Sequence, residues 1–195
     1  MVLATLKRAA SELSSSQKKL FKIDDNVGIA ISGLTADGVA TTKALHADCT
    51  SHKFTFESSV DVGRLASRVS DKFQTSTQRS GTRPSGVGTL MAGVDHEGTH
   101  LYQICPSGNL YDHVAAAIGA RSQASRTYLE KNTHKLHSLN LDDLVLLALR
   151  ALKEAATDPL SEKSCSVAVV GKKDAPFRVL NTVELKQVME GLESE

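Results

Sequence analysis

The sequence holds one literal match to a metal-hydrolase pattern, His96-Glu97-Gly98-Thr99-His100. Zinc chemistry on HExxH requires a helix. Only there do residues i and i+4 share a face, with the glutamate placed to activate a metal-bound water. Here Gly98 lies inside the motif, Asp95 precedes it and strand-like runs flank it. The pattern predicts a turn between strands, on which the two histidines diverge. His134 and His137 are spaced i, i+3 near a predicted helix end, with no accompanying carboxylate or thiolate motif. They read as a solvated pair compatible with the helix dipole. The glycine-rich stretch from Gly81 to Gly88 lacks the lysine of a phosphate-binding loop and leads into a strand-like run, so it is expected to be a structural loop. Ser122 and Ser125 fall at a predicted helix start. Capping explains them better than nucleophilic catalysis, since no histidine base can be assigned to them. No metal and no cofactor are expected.

Lys18, Lys19 and Lys22 form a small basic cluster ahead of Asp24-Asp25. Two readings stay open: a strand edge protected from pairing by charge, or a lysine that docks an acidic or C-terminal carboxylate as a point charge. Cys49, Cys105 and Cys165 are odd in number and far apart, which argues against a disulfide framework and for a reducing compartment.

The composition narrows the classes further. The chain has 195 residues, 23 Lys plus Arg against 22 Asp plus Glu, 41% hydrophobic residues and 4% aromatics. That suits a single domain over residues 1–195. Near-neutral charge argues against a broad phosphate-binding field, and the shortage of aromatics against a stacking platform for single strands. No run approaches the ~20 apolar residues of a membrane span. Neither nucleic acid nor membrane is expected as a partner.

These residues need elements to position them. Residues 2–6, 19–23 and 27–31 read as strands opening the chain in a β-meander. Residues 36–49 read as a helix. Val62, Leu65, Ala66, Val69 and Phe73 form a helical stripe. Strands are predicted at 87–94, 101–105 and 110–114, and helices at 123–132 and 141–156, the latter capped by Asn140. Strands at 166–170 and 177–180 precede a last capped helix at 182–192, striped by Leu185, Val188 and Leu192. Strand blocks separated by helix pairs suit a layered α+β sandwich more than a βαβ fold.

Several blocks taken in order resemble the alpha-type subunits of the 20S proteasome. They are Lys19-Leu-Phe-Lys-Ile-Asp-Asp25, Ser32-Gly-Leu-Thr-Ala-Asp37, Arg83-Pro-Ser-Gly-Val-Gly88, Ala92-Gly-Val-Asp95, Cys105-Pro-Ser-Gly108 and the stretch from Ala117 to Glu130. The part of it from Ile118 to Glu130 is most similar to the sixth eukaryotic alpha paralogue. The resemblance implies the four-layer αββα sandwich of N-terminal-nucleophile hydrolases. Met1 falls where the family's second strand begins, so the first helix and strand are expected to be missing. It implies a non-catalytic role in a heteroheptameric alpha ring, with other alpha subunits, beta subunits and the C-terminal tails of regulatory particles or activators as partners. The expected setting is ubiquitin-dependent protein degradation in cytoplasm and nucleus. It also implies that Lys19 pairs with a tail carboxylate and that Leu34 lines the same pocket. The alternative is a beta-type threonine peptidase, which needs a freed N-terminal nucleophile such as Thr5. Two positions depart from the family: Ser85, where Tyr is usual, and Gly38, where Ala is common and Gly would loosen a helix by roughly 0.5–1 kcal/mol.

Overall fold

A computed structural model describes residues 1–7, 17–171 and 175–193. Its elements run β1 (Val2–Leu6), β2 (Leu20–Asp24), β3 (Val27–Gly33), α1 (Thr35–Phe56), α2 (Val62–Gln78), β4 (Val87–Val94), β5 (Thr99–Ile104), β6 (Leu110–Asp112), α3 (Ser122–Asn132), α4 (Leu141–Ala155), β7 (Cys165–Val169), β8 (Arg178–Val179) and α5 (Thr182–Glu193). A single 3-10 turn, Thr133–Lys135, follows α3. The strands make two antiparallel sheets, one ordered β2-β3-β4-β5-β6 and the other β1-β7-β8.

Three hydrophobic clusters stack these sheets into four layers. Alternate residues of the five-stranded sheet, Val27, Ile29, Ile31, Val87 and Met91, bury against Leu45 and Cys49 of α1 and the whole predicted stripe of α2. The opposite face carries Leu20, Ala30, Leu90, Ala92 and Leu101 and meets Leu3, Ala168 and Phe177. The outer face of the three-stranded sheet, through Val167 and Val169, packs on Val145 and Leu149 of α4 and Leu185 of α5. The period-2 pattern of a strand sorts its residues between two cores. Each fully buried aliphatic side chain such as Ile29 or Leu65 contributes about 1.5–3 kcal/mol. Gly28 is required by close approach: a Cβ there would stand 2.0 Å from Cε2 of Phe177.

Helix ends follow their capping residues. The Asn140 side chain accepts the Asp143 amide at 2.8 Å. At α5, Asn181 and Glu184 exchange side-chain and backbone bonds of 2.9 Å each, a capping box. Of the α5 stripe, Leu185 is buried, Val188 packs beside it, and the Leu192 side chain lies outside the described residues.

Three expectations need correction. The chain does not open as a meander, because β1 pairs with β7 from the far end of the sequence while β2 and β3 form a hairpin in the other sheet. Helix α1 runs on to Phe56, well past residue 49, and stops at Glu57 in the left-handed region. Ser125 is not a cap: its buried hydroxyl donates to the Ala151 carbonyl at 2.6 Å and ties α3 to α4. Gly38 lies inside α1, and a Cβ there would stand 2.3 Å from Cδ1 of Ile31, so the position is also tightly packed.

Candidate docking site

Lys19 and Leu34 lie at the same end of the β2–β3 hairpin. Lys19 precedes β2, and its carbonyl accepts the Ile31 amide at 2.9 Å. Leu34 follows β3 at the start of α1 and is 48% exposed. Next to them, the Thr35 hydroxyl donates to Oε1 of Gln17 at 3.1 Å.

Leu34 is held from below by the loop ahead of β4. Its amide donates to the Gly86 carbonyl at 2.8 Å. Gly33 reaches this position with φ +125°, and a Cβ on it would stand 2.2 Å from the same carbonyl oxygen. Only glycine satisfies both demands. Asp37, in the first turn of α1, clamps the loop from the other side. It accepts from Nη1 and Nη2 of Arg83 at 2.7 and 2.8 Å and from the Gly86 amide at 2.8 Å. The Arg83 fork, followed by the Gly86 amide, holds the Asp37 carboxyl down to about 2. The blocks around Asp37 and Arg83 are legible in the sequence, but their pairing across 46 residues is not. A bidentate Arg–carboxylate fork leaves no local periodic signal.

Lys19 reaches a different neighbour. Its Nζ donates to the Leu6 carbonyl of β1 at 2.9 Å, bridging from the five-stranded to the three-stranded sheet. The basic cluster therefore disperses. Lys18 lies over the Phe21 ring, 5.4 Å from its centroid, and Lys22 pairs with Asp25 at 2.6 Å. Asp24 instead pairs with Lys53 of α1 at 2.5 Å.

The other chemically suggestive residues separate. On the β4–β5 turn, His96 meets Asp61 at 3.1 Å and His100 meets Asp95 at 3.0 Å, so the two rings serve different carboxylates. Burial pushes the Asp95 carboxyl up. Bonds from the Val62 and Glu97 amides and from His100 outweigh that and hold it below its ordinary value. The aspartate thus fastens the turn to the start of α2. His134 and His137 are exposed beyond α3. The stretch from Gly81 to Gly86 forms the loop clamped by Asp37, and β4 follows it. All three cysteines are free. Burial, with Asp24 nearby, pushes the Cys49 thiol up to about 11, which makes it a poor nucleophile. Thr5 sits inside β1 opposite Ser166. Among the described residues no group of three or more His, Cys, Asp or Glu side chains could hold a metal ion. No helix among them is long and apolar enough to cross a membrane.

Comparison with known proteins places this geometry. Residues 1–170 match a family model described as proteasome subunit. A proteasome subunit alpha type-1 of Dictyostelium discoideum is 45% identical over all of this chain and 79% of its own length. Its namesake from Drosophila melanogaster is 41% identical over 92% of this chain and 66% of its own. A probable proteasome subunit alpha type-6 of Schizosaccharomyces pombe is 39% identical over 98% and 71%. With two sheets packed face to face and helices outside both, and with identity at this level across the whole length, the chain belongs to the proteasome subunit family.

Proposed function

We infer that the chain is a structural, non-catalytic alpha-type subunit that assembles with other proteasome subunits. The observation that carries this reading is the 45% identity to an alpha type-1 subunit over 100% of the chain. Within the assembly its immediate partners are the neighbouring alpha subunits of a heteroheptameric ring and the beta subunits below them. The ring gates substrate entry in ubiquitin-dependent degradation, in cytoplasm and nucleus. Purification from source tests the reading. The chain is expected to co-sediment with a large peptidase complex, and the isolated chain to cleave nothing. Recovery only as a free monomer would overturn it.

The docking role of Lys19 and Leu34 belongs to the same proposal. Its support is the shared hairpin end, the exposed Leu34 side chain and the Asp37–Arg83 clamp that holds it in place. An incoming C-terminal carboxylate would take the Lys19 ammonium from the Leu6 carbonyl, exchanging a neutral acceptor for a charged one. Lys19→Ala in assembled particles is expected to weaken activator binding by roughly 1.5–3 kcal/mol, about tenfold to a hundredfold. Unchanged affinity for a single-tailed activator peptide would remove Lys19 from the site.

A further inference from the structure

His100, the second histidine of the HExxH match, lies in a network of its own. The Asp95 side chain is 7% exposed and that of His100 16%, and Oδ1 of the aspartate meets Nε2 of the histidine at 3.0 Å. On the far side of the ring, Nδ1 is 3.5 Å from the Tyr102 hydroxyl, and the two rings stack at 5.7 Å with 8° between their planes. Both ends of this row reach α2. Oδ2 of Asp95 accepts the Val62 amide at 3.0 Å. The Tyr102 hydroxyl lies over Gly63, 3.1 Å from where a Cβ would stand. The row thus joins β5 and the β4–β5 turn to the first turn of α2, a helix whose own N-cap residue, Asp61, makes no side-chain cap.

The proton positions follow from the partners. An ionised carboxylate only accepts, so the Nε2 facing Asp95 carries a hydrogen. Burial pushes the Asp95 carboxyl up, but the bonds from Val62, Glu97 and His100 outweigh it, and the group stays ionised in mild acid. Burial, with Asp112, Asp95 and Glu97 nearby, pushes the Tyr102 hydroxyl up, so it keeps its proton. Histidine is the side-chain type that changes charge between about pH 5 and 8. With one proton, the ring accepts from Tyr102 at Nδ1 over the long contact. With two, it donates from both nitrogens and the tyrosine hydroxyl turns from donor to acceptor. The bond to Asp95 then joins opposite charges and is roughly twice as strong. Acidic neighbours favour that state from each element around it: Glu97 on the same turn, Asp61 before Val62, and Asp112 opposite Tyr102 on β6. His96 is 69% exposed and meets Asp61 on the surface instead.

We propose that Asp95, His100 and Tyr102 form a pH-sensitive latch on the start of α2, closed when His100 carries two protons and loosened when it carries one. Acidification adds a positive charge beside the Asp95 carboxylate. The attraction is therefore gained as pH falls and lost as pH rises. A carboxylate, an imidazole and a hydroxyl in this order also serve nucleophilic catalysis. Here the hydroxyl is a phenol pressed against α2 that holds its proton, so the row works as a fastening. The latch needs no second chain and stands apart from the docking role of Lys19 and Leu34.

Hydrogen exchange followed by NMR on the full chain, corrected for the intrinsic pH dependence of amide exchange, tests this. Protection of the Val62 amide is expected to be about fivefold to tenfold higher near pH 5.5 than near pH 8, with the Leu149 amide of α4 unchanged. His100→Gln keeps a donor toward Asp95 but cannot titrate, and is expected to flatten the Val62 profile. His96→Gln is expected to leave it intact. Tyr102→Phe is expected to lower protection more on the acid side, because it removes the acceptor that only the doubly protonated ring requires. In the natural chain, whatever the variants do to folding, the Val62 amide shift is expected to follow the same titration as the His100 ring protons. A flat Val62 profile in the natural chain overturns the proposal, as does one that survives His100→Gln or is abolished by His96→Gln. So do Val62 and His100 signals that titrate apart.

Discussion

The two sheets of this molecule are built from similar residues but differ in how fully they are enclosed. The five-stranded sheet is covered by α1 and α2 on one face and by the other sheet on its opposite face, and Val27, Ile29, Val87 and Met91 are completely buried. The three-stranded sheet has equally buried residues in Cys165, Val167 and Ala168, yet one side of β1 opens on a cleft roofed by α3 and α4. Burial of side chains and pairing of strand edges are separate requirements: the central strands of both sheets meet both, whereas β1, an end strand among the described residues, is strand-paired only with β7.

The sharpest test contrasts leucines from the two regions. Leu65→Ala, in the closed layer, is expected to cost about 3 kcal/mol in denaturant unfolding, because its neighbours cannot collapse into the space. Leu144→Ala, on the cleft wall, removes a side chain that already borders a gap and is expected to cost less than about 1.5 kcal/mol. Equal losses would break the comparison. Ser125→Ala probes the roof. Deleting the buried hydroxyl that donates to Ala151 is expected to lower stability by about 1 kcal/mol and to speed amide exchange in α3 more than in α2. If α2 responds equally, the roof is not a separate unit. Asn140→Ala removes the cap of α4 and should cost roughly 0.5–1 kcal/mol, read as a shift in the denaturation midpoint without a change of slope.

The smallest effect concerns the loop under Leu34. Asp37 is depressed to about 2 in the folded chain, below the ordinary carboxylate value near 3.9. Its contribution is therefore fully present above about pH 4 and fades as pH falls toward 2. The clamp is largely exposed, so the contribution is small. Exchange of the Leu34 amide is expected to accelerate in that acid window, and Asp37→Asn to remove the acceleration. A pH-independent Leu34 amide in the natural chain would separate the carboxylate from the loop it holds.

Much of this arrangement was legible in the sequence where a signal is local. The α2 stripe, the Asn140 cap and the glycine-bearing turn that separates His96 from His100 each follow from a spacing of a few residues. The Lys19 and Leu34 positions came from resemblance to a family, and the structure puts both at one hairpin end. What carries Leu34, the fork from Arg83 to Asp37, joins residues 46 positions apart and has no periodic signature. The same holds for Ser125, where helix-start chemistry and an interhelical bond use the same residue type.

By itself the sequence determined the periodicities, the caps and turns, and hence two kinds of sheet-and-helix layer with a near-neutral surface. It did so because side-chain spacing and backbone preference are local quantities. Only the tertiary structure decided that β1 leaves its neighbours to pair with β7, that Lys19 reaches across to Leu6, and that Ser125 ties α3 to α4. Those outcomes depend on which distant segments find one another, and loop-closure entropy and packing settle that choice for the whole chain at once.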